Sequence, residues 1–155
     1  MLSLGACVVD APHLGFYVEL KPIGRGAVSA AMDVVGKPMN HFSENGLDPR
    51  EAMFAFRQWV TDVSGERQPV FVGFNATFDW AFVNWYFHTF VGENPFGIGG
   101  IDIKSFYMGR AGVSWADTRS SRIPGELKSS EPETHHALAD ARRQAELFSR
   151  LSVPT

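Results

Sequence analysis

The chain has 155 residues, 45% of them hydrophobic and 20% charged, with 13 Phe and 4 Trp. That is enough apolar material for one packed domain over residues 1–155 and too much for a disordered chain. A formal net charge of −3 argues against a protein that grips long duplex DNA by neutralising many phosphates. The single cysteine, Cys7, cannot close an internal disulfide, and Met1 leads straight into a strand-like run with no basic region or cleavage site. The expectation is a cytoplasmic protein without a targeting peptide.

The run from Leu2 to Val9, the turn-like Asp10-Ala11-Pro12-His13 and the segment Phe16 to Leu20 predict a β-hairpin. Gly24 to Asn40 has weak periodicity, with a short helix expected over Ser29 to Val35. Asp48-Pro49-Arg50-Glu51 then reads as a helix start, with an N-cap, a proline at the first helical position and a glutamate placed for a capping box. Met53, Phe56, Val60 and Val63 recur at helical steps and should form its buried stripe, ending near Gly65. Pro69 to Phe74 reads as a strand buried on both faces. Asn75 is placed to cap the next helix, Ala76 to Phe90, whose aromatics are expected in the core. Its most apolar part, Trp80 to Val91, is far shorter than the roughly 20 residues of a bilayer span, so no membrane segment is expected.

Beyond the glycines of residues 97–100, Ile101 to Ile103 reads as a brief strand and is followed by a short helix through Met108, with Asp102 placed to cap it. Those glycines lack the following Lys-Ser or Lys-Thr of a phosphate-binding P-loop. Ala111 to Thr134 has no clear period and predicts a long surface loop. A last helix runs from His135 or His136 to Leu151, with Leu138, Ala141, Ala145 and Phe148 inward. Strands alternating with helices indicate one α/β domain with a mixed sheet.

Two clusters carry reactive side chains. Asn75-Ala76-Thr77-Phe78-Asp79 stands where a strand gives way to a helix, which is where open α/β sheets present functional groups. A carboxylate in the first helical turn is also favoured by the helix dipole alone, so a structural Asp79 fits equally well. In His135-His136-Ala137-Leu138-Ala139-Asp140, His136 and Asp140 have the spacing of a surface pair. His135 could instead swing over a site containing Asp140. An imidazole ordinarily titrates near about 6.5 and can deprotonate water at neutral pH, while a carboxylate can hold a divalent cation that acidifies that water. From Ile101 onward eight Lys or Arg face seven Asp or Glu, against six and ten before it. An acidic body with a mildly basic last third suits a short anionic substrate, and ordinary surface charge explains it as well.

Taken together, Asn75-x-x-Phe78-Asp79 and His135-x-Ala137-x-x-Asp140 resemble the second and third motifs of the DEDDh family of 3'-5' exonucleases, which includes proofreading subunits and oligoribonucleases. Ser3-Leu4-Gly5-Ala6 resembles the second strand of that fold, and Trp115-Ala116-Asp117-Thr118-Arg119 through Pro124 resembles the loop before the third motif. The resemblance covers nearly the whole chain. It implies a ribonuclease-H-like mixed β-sheet flanked by helices and hydrolysis at the 3' end of single-stranded DNA or short RNA. It further implies two Mg²⁺ or Mn²⁺ ions held by carboxylates including Asp79 and Asp140, with His135 as general base. Asn75 and Phe78 would meet the substrate, and Arg119 and Arg122 could meet its phosphate, although a solvent-facing role fits both arginines too. Oligoribonuclease-like proteins also imply a homodimer.

The family's first motif, Asp-x-Glu on the central first strand, is absent. None of the eight aspartates has a glutamate two residues later. Met1 falls where the residues after that strand would stand, so the expectation is a missing N-terminal strand, from a start assigned too far downstream or a shortened chain. Its absence should leave unpaired backbone on both sides of a slot. The chain should then either pair Leu2–Val9 with Val70–Phe74 or accept a strand from elsewhere, and with half its acidic ligands gone it should bind catalytic metal poorly. The alternatives are a catalytically silent module of the same fold that binds a nucleic-acid end or a protein, and a metal-dependent phosphohydrolase for free nucleotides.

Overall fold

The computed structural model describes residues 1–24, 26, 32–33, 35–129 and 134–153. Strand β1 (Ser3–Val8) and strand β2 (Ala11–Glu19) form the expected antiparallel hairpin, in which Gly5 faces Tyr17 and Ser3 faces Glu19, but the turn is tighter than expected, at Val9 and Asp10, and Ala11, Pro12 and His13 belong to β2. The far side of β2 is prolonged by Leu20, which bridges Leu47 in parallel. Much of the helix expected over Ser29 to Val35 lies outside the described residues; Met32, Asp33 and Val35 are helical. Helix α1 (Met39–Asn45) follows, in a stretch for which the sequence predicts no element.

Helix α2 (Pro49–Ser64) begins as its residues dictate. The Asp48 carboxylate accepts the Arg50 N–H at 2.9 Å, with Pro49 at the first helical position. Met53, Phe56 and Val60 are buried, and the helix stops at Gly65, whose φ of 58° suits glycine. Strand β3 (Phe71–Gly73) leads into helix α3 (Ala76–Phe90), and strand β4 (Gly100–Asp102) pairs with β3 in parallel, setting Gly73 beside Asp102. Helix α4 (Ile103–Ala111) and three short 3₁₀ turns (Trp115–Thr118, Ser120–Arg122, Gly125–Leu127) precede the last helix, α5 (Ala137–Ser152). The loop expected to run over the surface is in fact partly internal. Thr118 is fully buried, its hydroxyl donating to the Trp115 carbonyl at 2.8 Å, and Ile123 sits in the core. No helix among the described residues is long and apolar enough to cross a membrane.

The α/β class is as expected, but the single mixed sheet is not. Among the described residues β1 pairs only with β2 and β3 only with β4, so Leu2–Val9 does not pair with Val70–Phe74. Nor is the stretch Pro69 to Phe74 a strand buried on both faces: Val70, outside β3, is exposed, and among the described residues β3 has one ladder partner. Two apolar clusters lie against the ladders, with Phe71 of β3 turned to the first and Val72 to the second. The hairpin packs with α2 and α3 through Leu4, Val18, Phe56 and Phe87, while Ile103, Tyr107, Ile123, Leu147 and Leu151 form a second cluster beneath β3.

Helix α5 crosses both. A Cβ built on Gly5 would lie 2.2 Å from the Ala137 carbonyl carbon and the Leu138 nitrogen, so the start of α5 rests directly on β1. Farther along the same helix, the Gln144 side-chain oxygen accepts the Phe74 N–H at 2.9 Å, and Arg142 donates to the Pro12 carbonyl at 3.0 Å.

Asp102 ties the second ladder to two helices at once. One carboxylate oxygen accepts the Ala76 N–H at 2.9 Å, at the start of α3; the other accepts the N–H and hydroxyl of Ser105, in the first turn of α4. Partial burial pushes this carboxyl up, but the hydrogen bonds from Ser105 and from the backbone of Ala76 and Lys104 outweigh it and leave its pKa below the ordinary value.

Three substitutions test this account. Gly5→Ala should destabilise by about 3 kcal/mol or more in urea unfolding, because only backbone surrounds the new methyl. Gly109→Ala, on exposed α4 with nothing within 4 Å, should stabilise by about 0.5–1 kcal/mol. Asp102→Ala removes caps from α3 and α4 and should cost about 2 kcal/mol, roughly 1 for each helix start. The depressed Asp102 pKa means its contribution is complete above the ordinary carboxylate value of about 3.9 and declines as pH falls through the folded value. The gap between wild type and Asp102→Ala should therefore shrink in acid.

Candidate active site

The first motif segment opens α3. Asn75 takes the N-cap position, but its side chain makes no capping hydrogen bond, contrary to the reading of its sequence. Its backbone is left-handed, with φ 63°, a conformation asparagine tolerates better than most residues. Asp102 supplies the capping acceptor instead. Phe78 and Asp79 follow in the first exposed turn; Phe78 is 62% accessible and its ring meets Phe82 at 5.2 Å. Asp79 is exposed as a residue, yet desolvation of its carboxyl group raises its pKa against the lowering effect of its own backbone N–H.

The second segment opens α5. His135 is exposed and left-handed, with φ 53°, and His136 is the N-cap residue, without a side-chain capping bond. Among the described residues, Asn75 and His135 are the two non-glycine residues with positive φ, and one lies in each motif. Such backbone is uncommon and concentrates where a fold must aim a particular side chain. The His136–Asp140 surface pair does not describe the arrangement. His136 stacks on Tyr17, with ring centroids 4.2 Å apart, and Asp140 Oδ1 lies 3.7 Å from Arg143 Nη1. That oxygen is buried and accepts no hydrogen bond.

The remaining expected substrate residues lie in the 3₁₀ loop. Arg119 is exposed, and Arg122 is ion-paired with Asp117, so its charge is already partly answered. The α3 aromatics divide: Tyr86 and Phe87 are buried, but Phe78, Phe82 and Trp85 are exposed at successive turns. This corrects the expectation of a wholly internal helix. Its inner face is supplied by Ala76, Val83, Tyr86 and Phe87, which leaves the opposite face uncovered.

One cluster is missing from the sequence reading. Glu19, on β2, is only 16% exposed at its side chain. Its Oε1 accepts Lys37 Nζ at 2.6 Å and Tyr17 Oη at 2.8 Å, and its Oε2 lies 2.7 Å from His41 Nε2. The hydrogen bond from Lys37 is the main cause holding the Glu19 carboxyl down to about 2, while burial, followed by the Glu19 contact, pushes the Tyr17 phenol up to about 12. Only the i, i+2 step from Tyr17 to Glu19 and the i, i+4 step from Lys37 to His41 hinted at the cluster.

Divalent cations prefer oxygen ligands, and the chemistry of this site suits them in kind. The chemistry of each segment offers a cation an oxygen ligand, one Asp140 oxygen accepting no hydrogen bond and the Asp79 carboxyl being partly desolvated. It does not suit them in number. Among the described residues no three His, Cys, Asp or Glu side chains gather closely enough to hold a metal ion. Asp79, His135 and Asp140 therefore do not form such a trio by themselves.

No family model matches the chain. It is, however, 50% identical over 149 residues to the 3'-5' DNA exonuclease Cap18 of Escherichia coli, a match covering 96% of this chain and 80% of that protein. At most a few terminal residues fall outside the match, so both motif segments lie within it. Identity of that degree over that span leads to one conclusion: the chain belongs to a family of 3'-5' exonucleases.

Proposed function

We propose that the chain is a DEDDh-type nuclease subunit that removes nucleotides from the 3' end of single-stranded DNA with the help of Mg²⁺ or Mn²⁺. The carrying observation is the 50% identity to a named 3'-5' DNA exonuclease across both motif segments; the relative's name also favours DNA over short RNA as substrate. The left-handed residues Asn75 and His135, one in each motif, support the same reading. In it the two ladders are halves of a ribonuclease-H-like sheet, and a strand bearing Asp-x-Glu completes it between β1 and β3.

The roles follow from side-chain chemistry. Asp79 and Asp140 would hold the cations together with the two acidic residues of the completing strand. Bound there, the ions would acidify the attacking water and steady the attacking and leaving oxygens of the phosphodiester. His135, exposed on its turn, takes the proton from that water. Phe78 and Asn75, on the exposed start of α3, meet the terminal nucleotide, with base stacking on the Phe78 ring. Arg119 is placed to meet a phosphate; Arg122 can do so only by giving up Asp117. A cytoplasmic homodimer completes the reading, the uncovered Phe82 and Trp85 being the kind of surface a second copy would cover.

The rival reading is a silent binding module, and both readings accommodate the same observation. The described residues gather no three metal-ligating side chains. Trimming of a 5'-labelled single strand separates the two. The 155-residue chain should show little Mg²⁺-dependent trimming, and a form carrying an in-frame Asp-x-Glu strand upstream of Met1 should be at least about 100-fold faster. In the active form, His135→Ala, Asp79→Asn and Asp140→Asn should each lower kcat by about 100-fold or more. Strong trimming by the 155 residues alone would refute the need for the completing strand. A stop codon or unrelated sequence upstream, with no trimming in any form, would leave the silent module as the answer.

A further inference from the structure

The Glu19 cluster has no part in the chemistry described above, yet it ends beside the motif histidine. Tyr17 lies opposite Gly5 in the hairpin, and Gly5 is where the backbone of Ala137 and Leu138 lands on β1. Because successive strand residues alternate in direction, Tyr17 and Glu19 share one face of β2. The Tyr17 hydroxyl donates to Glu19 Oε1, which also accepts from Lys37, while His41 engages Oε2. Both oxygens of Glu19 are thus engaged by groups from outside its strand, and the phenol ring is fixed at its far end. The face of that ring stacks on His136 at 4.2 Å and 28°.

His136 is the residue between the left-handed His135 and the first residue of α5. A side chain other than glycine stays in left-handed backbone only where its surroundings over-determine it. On the carboxyl side, the α5 backbone is seated on Gly5, and the His136 carbonyl accepts the Asp140 N–H at 2.9 Å. On the amino side, the His136 N–H has a long contact to the Thr134 hydroxyl, 3.4 Å. Among the described residues, the stacked imidazole is the side-chain anchor by which this turn reaches back to the hairpin.

We propose that Tyr17, clamped by Glu19, is a positioning residue: by stacking on His136 it holds the left-handed turn that presents His135. Lys37 and His41 act one step farther out, by keeping the Glu19 carboxylate aimed at the phenol. This rests on the reading of His135 as the base. Tyr17 itself touches neither substrate nor the reacting atoms.

The test compares Tyr17→Phe, which keeps the ring and loses the hydroxyl, with Tyr17→Leu, which loses both, and with Glu19→Gln, which weakens the clamp. The first readout needs no activity. In NMR spectra, the ring-current shift of the His136 side-chain protons and the backbone amide of His135 should change strongly in Tyr17→Leu, partly in Glu19→Gln and least in Tyr17→Phe. The second readout uses the trimming-competent form, in which Tyr17→Leu should lower kcat by about 10- to 100-fold with KM held within about twofold, and Tyr17→Phe should recover most of it. Unchanged His135 and His136 signals in Tyr17→Leu would overturn the proposal even in an active enzyme, as would altered signals with unchanged kcat. If no form trims, the nuclease reading fails, while the NMR comparison still decides whether Tyr17 holds the turn.

Discussion

The contact between α5 and β1 at Gly5 is the constraint on which the rest of the arrangement depends. Two-stranded ladders are marginal on their own in water, and among the described residues the two ladders here share no backbone hydrogen bond. They are joined by shared packing, Phe71 of β3 lying against the hairpin's cluster together with α3, and by α5, seated on β1 at its start and accepting the Phe74 N–H through Gln144 one ladder away. A side chain at position 5 would lift the helix from the hairpin. The same seating sets where α5 begins, and so where His135, His136 and Asp140 stand. Packing and candidate chemistry are therefore coupled through a residue with no side chain at all.

Asp102 does for the first motif segment what Gly5 does for the second. By accepting from both Ala76 and Ser105 it fixes the start of α3 to the end of β4. Asn75 is thereby relieved of capping and is free to take the left-handed turn before Phe78 and Asp79. The fold places one strained residue before each candidate carboxylate, supporting each from a neighbouring element.

Much of this was legible along the chain because it is local. The hairpin follows from two apolar runs split near Asp10, α2 from the Asp48-Pro49 start and its buried stripe, and the Asp102 cap of α4 from its place before a short helix. Asp79, His135 and Asp140 were legible as a pattern of residue types. What stayed hidden depends on partners distant in sequence. Asn75 lost its capping role to a residue 27 positions away, Glu19 is buried by Lys37 and His41, and the exposed face of α3 reflects how little of the chain lies over it. Hydrophobicity alone marked every α3 aromatic as internal, whereas only the face toward α2 and β4 is covered. The separation of the ladders was likewise invisible, because apolar runs announce strands without naming their neighbours.

The central claim is that Asp79 and Asp140, 61 positions apart, flank one cation-binding region. Paramagnetic broadening by Mn²⁺ in the ¹⁵N-labelled 155-residue protein tests this directly, since it detects even fractional occupancy. The account predicts that amides around Asp79 and around Asp140, with His135, lose intensity together and with the same dependence on Mn²⁺ concentration. Broadening confined to one segment, or at the two segments with different concentration dependence, would contradict it.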